Sequence, residues 1–123
     1  MSFTDPVSVF AWAERFTNLE RNLPALDKRA WRLDRMRRLL EIAGAPETRF
    51  RSFHVAGSKG KGSTAAFMAG ALTASGRRTG LYTSPHVSSP LERISVDGRP
   101  PDPVLFTGVG DRARTLVDDL ADS

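Results

Sequence analysis

The segment Val55-Ala56-Gly57-Ser58-Lys59-Gly60-Lys61-Gly62-Ser63-Thr64 constrains this chain more than any other. An apolar run, Phe53 to Val55, leads into three glycines with Lys61 among them. Ala65-Ala66-Phe67-Met68-Ala69 then continues as an apolar helical pattern. Strand, loop and helix in that order make a phosphate-binding loop. Glycines let backbone N–H groups converge on an anion without Cβ clashes. A helix start adds unpaired N–H donors and the positive end of a dipole. Lys61 has the reach to meet a β- or γ-phosphate as a point charge. Ser63 would either cap the helix or face a metal–phosphate site. The spacing departs from G-x-x-x-x-G-K-[ST], since two residues separate Gly57 from Gly60 and Gly62 follows Lys61. A plain solvated turn is the alternative reading.

With 123 residues the chain is long enough for one domain with a core. Hydrophobic residues at 40% and charged residues at 26% fit a globular protein rather than a disordered one. The absence of cysteine excludes a disulfide framework, a thiolate nucleophile and a zinc–thiolate site. No apolar run reaches membrane-spanning length, and the N-terminus lacks a basic-then-apolar signal pattern. A cytoplasmic protein with no membrane partner is the expectation. The formal charge of +4 suits an anionic ligand such as a nucleotide. Basic residues between Lys28 and Arg38 alternate with Leu33, Met36, Leu39 and Leu40 at helical spacing, which reads as a solvated helix face. No nucleic-acid motif is present, so no nucleic-acid partner is expected.

Local signals place the elements. Asp5-Pro6 starts a helix whose stripe is Val9, Phe10, Trp12, Ala13 and Phe16, and Asn22-Leu23-Pro24 ends it. A second helix is predicted from about Lys28 to Ala43, stopped by Gly44 with Pro46 following. Phe50 to Ala56 is predicted as strand one, and Ser63 to Ser75 as a helix ended by Gly76. Arg78 to Thr83 is predicted as strand two. Strand, helix, strand at this length implies a right-handed βαβ crossover with parallel strands. The fold class is therefore α/β, a parallel sheet of the P-loop type with flanking helices. Residues 1–48 form a helical preface, and 49–123 carry the βαβ unit, a hairpin and a last helix. Ser84-Pro85-His86 lies past the end of strand two, on the side where parallel sheets bind ligands. Ile94 to Arg99 reads as a short strand and a tight Asp97-Gly98 turn. Asp102-Pro103 starts the last helix, with Val104, Leu105, Val109, Leu116, Val117 and Leu120 as apolar positions, while Gly108 and Gly110 weaken its first half.

Three segments together resemble one family. His54 to Thr64, Gly80-Leu81-Tyr82-Thr83-Ser84-Pro85-His86, and Glu92-Arg93-Ile94-Ser95-Val96-Asp97-Gly98 are similar, in order and spacing, to folylpolyglutamate synthases. That family includes bifunctional dihydrofolate synthases and sits with the Mur ligases. The resemblance covers roughly residues 30 to 100. It implies an ATP-dependent amide ligase of folate and one-carbon metabolism, with ATP, a folate and L-glutamate as substrates and Mg2+ as cofactor. A folate carboxylate is phosphorylated to an acyl phosphate, and the amine of glutamate attacks it. By the same resemblance Gly57, Ser58, Lys59, Gly60, Lys61, Gly62, Ser63 and Thr64 form the ATP cradle. Lys61 acts at the transferring phosphate, and Ser84 is a Mg2+ ligand.

Val87-Ser88-Ser89-Pro90-Leu91 departs from the family's hydrophobic-then-charged run, and no pterin-binding residue is carried over at Ala30-Trp31-Arg32. Family members are roughly three times longer and usually monomeric. The chain is thus expected to be the N-terminal portion of a Mur-ligase ATPase domain. The glutamate-binding domain would be absent and the isolated chain inactive as a ligase. Two other classes remain: a non-catalytic nucleotide-binding remnant, and another P-loop kinase or NTPase. Among the remaining candidates, His54 reads as a satisfied core histidine on strand one. His86 would contact ligand or position its loop. Arg93 would pair with Glu92 or an anionic substrate, or lie exposed. Trp12 and Trp31 read as packing residues.

Overall fold

The computed structural model describes residues 1–16 and 33–121. The expected helix end at Asn22-Leu23-Pro24, the second helix's start at Lys28, and Ala30-Trp31-Arg32 lie outside the described residues. The chain divides into two units. One takes in the described residues of Met1–Ser52 and Thr107–Ser123, and the other is Phe53–Phe106.

In the first unit, α1 spans Pro6–Ala13. Asp5 caps it as expected, its carboxylate accepting the Ser8 N–H at 2.9 Å. Helix α2 spans Leu33–Ile42. It closes at Gly44 (φ +85°), where the Gly44 N–H meets the Glu41 carbonyl and the Ala45 N–H meets that of Leu40. Its exposed Arg37–Asp34 and Arg38–Glu41 pairs confirm a solvated face. The last helix, labelled α4, spans Pro103–Ala121, and Asp102 caps it by accepting the Leu105 N–H at 2.9 Å. Thr107 onward belongs to this unit.

The expected α1 stripe is only partly realised. Val9 is buried, Phe10 and Trp12 are half-buried, and Ala13 and Phe16 are exposed. Val9 meets α4 at Gly110, which is itself buried. Gly110, read from sequence as a weakness in the helix, is therefore a point of close helix approach. The N-terminus is tied down beside it. The Phe3 N–H donates to Asp111 Oδ1 at 2.9 Å, and the Arg114 guanidinium lies 4.4 Å from the Phe3 ring centre while bonding Asp111 and the Met1 carbonyl. Trp12 packs as expected, with ring centres 5.8 Å from Phe3 and 5.4 Å from Phe16.

In the second unit, α3 spans Lys61–Ala74. Gly76 ends it as predicted, with the Gly76 N–H on the Thr73 carbonyl and the Arg77 N–H on that of Leu72. Strand β1, Gly80–Tyr82, pairs with β2, Ile94–Val96, in register Gly80↔Val96, Leu81↔Ser95 and Tyr82↔Ile94. Asp97 (φ +53°) and Gly98 (φ +75°) make the expected tight turn, closed by bonds between Val96 and Arg99. Helix α3 packs on β1.

The sheet differs from the expected one. The β1–β2 pairing is antiparallel, and no parallel pair occurs among the described residues. Residues 50–56, predicted as strand one, contain no strand. A strand is defined by a neighbour, and no described segment pairs with this one. The same cause corrects His54. It is exposed rather than a core histidine, and Phe53 before it is 67% exposed.

Candidate functional site

The glycine loop and the start of α3 form one local structure. Gly57 (φ +153°) and Gly60 (φ +73°) take backbone conformations that favour glycine. Gly60 turns the chain into the helix as its N-cap, so α3 begins at Lys61, two residues before the predicted Ser63. Ser63 is thus in the first turn and does not cap. No side chain caps this helix end. The first helical bond is the Thr64 N–H to the Gly60 carbonyl at 3.0 Å. The N–H groups of Lys61, Gly62 and Ser63 therefore have no intrahelical partner. Lys61 curls back over the loop, and its Nζ donates to the Gly57 carbonyl at 2.7 Å. Gly57, Ser58, Lys59, Gly60, Lys61, Gly62, Ser63 and Thr64 are all exposed. Uncapped donors, a lysine ammonium and bare glycine backbone make a surface suited to an anion.

Ser84 lies elsewhere in the same unit, two residues past the end of β1, and is exposed. No hydrogen bond joins it to the glycine loop among the described residues. Its loop, residues 83–89, is closed at the neck by the Thr83 N–H on the Arg93 carbonyl at 2.9 Å. Inside the loop, Glu92 Oε2 accepts the Val87 N–H at 3.0 Å, and Oε1 accepts those of Ser88 and Ser89 at 3.1 and 3.0 Å. These bonds, the Val87 amide foremost, hold the Glu92 carboxyl below the usual glutamate range. Half-buried His86 accepts at Nδ1 from Arg93 Nε at 2.9 Å.

The roles of Glu92 and of the Arg93–His86 bond are not among the sequence-based expectations. A signal for the first is present: Ser89-Pro90-Leu91-Glu92 has the Ser-x-x-Glu form of a capping box with Pro at the first helical position. The box is formed, on a single 3-10 turn spanning Pro90–Arg93.

A groove of about 480 Å3 runs between α3 and the hairpin, past Ala66, Gly70, Thr73, Leu81 and Ser95. Neither the glycine loop nor Ser84 lines it. The groove is thus separate from the glycine loop, whose uncapped donors and lysine make it the candidate site. Among the described residues no group of three His, Asp or Glu side chains converges as a magnesium site would require. Ser84 offers one neutral hard oxygen. That fits Mg2+ only where phosphate oxygens and water supply its other ligands.

No family model matches the chain. Among curated proteins it is similar to the dihydrofolate synthase/folylpolyglutamate synthase of Mycobacterium tuberculosis, 41% identical over 85 residues, 69% of this chain and 18% of that protein. The enzyme of the same name from Bacillus subtilis is 41% identical over 88 residues, 72% of this chain and 20% of that protein. The chain thus spans about a fifth of the length of these relatives. Among solved structures, the folylpolyglutamate synthetase of Lactobacillus casei matches 98% of this chain with a TM-score of 0.79 at 30% identity, over 28% of its own length. The folylpolyglutamate synthase of M. tuberculosis in complex with ADP matches 94% of this chain with a TM-score of 0.72 at 34% identity, over 25% of its own. In sequence over part of its length, and in backbone over nearly all of it, the chain is similar to folylpolyglutamate synthases. Its fold is of the Mur-ligase kind.

Proposed function

We propose that this chain is the N-terminal, nucleotide-phosphate-binding portion of an ATP-dependent ligase that adds L-glutamate to a folate. The observation that carries the reading is the uncapped start of α3 behind Gly57–Gly60, with Lys61 folded over it. The similarity to folylpolyglutamate synthases, one of them solved with ADP, supports it. On this reading residues 50–56 join a parallel sheet of the P-loop type in the longer protein.

The backbone N–H groups of the loop and first helical turn bind the ATP phosphates. Lys61 exchanges its bond to the Gly57 carbonyl for one to the phosphate being transferred. Transfer of the γ-phosphoryl group to a folate carboxylate forms an acyl phosphate and ADP. The amine of glutamate attacks the acyl carbon, an amide forms, and phosphate leaves. Positioning and charge neutralisation dominate such a transfer, and both are what glycine backbone and a lysine supply. Ser84 would hold Mg2+, which when bound neutralises phosphate charge.

Calorimetry on the wild-type chain and Lys61→Ala tests the reading. Removing a charge-assisted contact costs about 1.5–3 kcal/mol, so MgATP affinity should fall about 10- to 150-fold. Equal affinities would refute the assignment, as would a wild-type chain that does not bind MgATP.

A further inference from the structure

We infer that Glu92 and Arg93 are positioning residues, which hold the 83–89 loop in the shape that presents Ser84 and His86. The inference rests on the nucleotide reading above, because it gives Ser84 its purpose.

The 83–89 segment has no regular structure of its own. Its shape is imposed from Pro90–Arg93, the turn that leads directly into β2. Both oxygens of Glu92 are engaged, and three consecutive backbone N–H groups converge on them. Three donors on one carboxylate curl residues 87–89 into a nest with the anion supplied from within the chain. Glu92 cannot drift, because the neighbouring Arg93 carbonyl accepts the Thr83 N–H and Ile94 is paired with Tyr82. Ser84 follows Thr83 directly, so the loop is fixed at its neck and at its far end.

Arg93 adds a second constraint. A guanidinium only donates, so His86 must present a lone pair at Nδ1. The ring proton then sits on Nε2, where His86 offers a donor suited to an oxygen of the substrate or nucleotide. Glu92→Gln is the sharpest perturbation. The carboxamide keeps the shape and retains one oxygen, but turns an N–H donor toward at least one of the three amides.

The test uses the full chain. Amide hydrogen exchange of wild type and Glu92→Gln is compared without ligand, and ATP affinity is measured for both with Mg2+ and with EDTA. Exchange at Val87, Ser88 and Ser89 should quicken by about tenfold or more in the variant, while the Thr83 and Asp97 amides of the ladder stay protected. The variant should also lose the gain in ATP affinity that Mg2+ gives, with its EDTA affinity unchanged. Unchanged exchange at residues 87–89 would overturn the inference. Faster exchange with an intact magnesium gain would show a purely structural turn and overturn it too. Loosened Thr83 and Asp97 amides would make Glu92 a residue of the general fold, which equally overturns the positioning role. Failure of the nucleotide reading shows separately, as equal ATP affinity of wild type and Lys61→Ala.

Discussion

Replacing Gly110 with alanine should fail to stabilise the first unit, although the same change two residues earlier should stabilise it. Both glycines lie within α4, where alanine is intrinsically better than glycine by about 1 kcal/mol. At Gly108 nothing lies within 4 Å of an added Cβ, so that gain is free. At Gly110 the Cβ would sit 2.6 Å from Val9 Cγ2, 2.8 Å from Cγ1 and 3.2 Å from Phe3 Cδ2. Carbon atoms prefer separations of about 3.5–4.0 Å, so the neighbours must retreat by about 1 Å. Val9 cannot rotate away cheaply, since both its methyls face the new atom and β-branched side chains are stiff at χ1 in a helix. Retreat of α1 or of Phe3 would stretch the Phe3–Asp111 bond and lift the ring from Arg114. Overpacking of this kind costs about 1–3 kcal/mol, which cancels or outweighs the helical gain. Gly110→Ala should therefore be neutral to about 2 kcal/mol destabilising, and Gly108→Ala about 1 kcal/mol stabilising. Urea unfolding followed by far-UV circular dichroism measures both. Val9→Ala combined with Gly110→Ala should recover part of the loss, because the two positions share one contact. Equal stabilisation by both glycine replacements would refute the close approach.

Two further outcomes follow from the site and the caps. Ser84→Ala should weaken ATP binding with Mg2+ by roughly fivefold, the worth of about 1 kcal/mol for one neutral oxygen contact, and leave binding in EDTA unchanged. A similar loss in both conditions would assign Ser84 a structural role. The carboxyls of Asp5 and Glu92 are held below their ordinary values, Asp5 by the Ser8 amide and then the Thr4 hydroxyl, Glu92 by the Val87 amide first. A carboxyl depressed in the folded state contributes stability above its unfolded pKa, about 4, and loses it as pH falls through the folded value. The Ser8 and Val87 amide resonances should therefore titrate with midpoints below those of the same carboxyls in the unfolded chain, and midpoints at or above the unfolded values would refute both contacts.

What the sequence made legible is what is settled within a few residues. Asp5-Pro6, Asp102-Pro103, Gly44 and Gly76 behave as read because each is satisfied by partners close along the chain, and the Asp97-Gly98 turn is likewise closed by its neighbours Val96 and Arg99. Strand one was not legible in this way. A β-branched, apolar run states a preference for extended backbone, but a ladder needs a partner from elsewhere, and residues 50–56 pair with none among the described residues. His54 went wrong for the same reason, since its burial was inferred from the strand. Gly110 shows the reverse case. Its low helix propensity was visible, whereas its purpose needed Val9, which lies 101 positions away in the numbering yet touches it in space.

The glycine loop belongs to the locally determined class, and that bears on how it would bind. Its shape follows from the positive φ angles of Gly57 and Gly60 and from the Lys61–Gly57 bond, none of which depends on a distant segment. A phosphate would meet N–H groups already turned outward at the start of α3, so little backbone ordering remains to oppose binding. The lysine is the part that must move. It would trade a neutral carbonyl acceptor for an anionic one, which adds the attraction of opposite charges to the hydrogen bond. The exchange is downhill without any rearrangement of the helix. An anion site of this sort can therefore persist where few of the described side chains are buried, because it draws on backbone geometry rather than on a core.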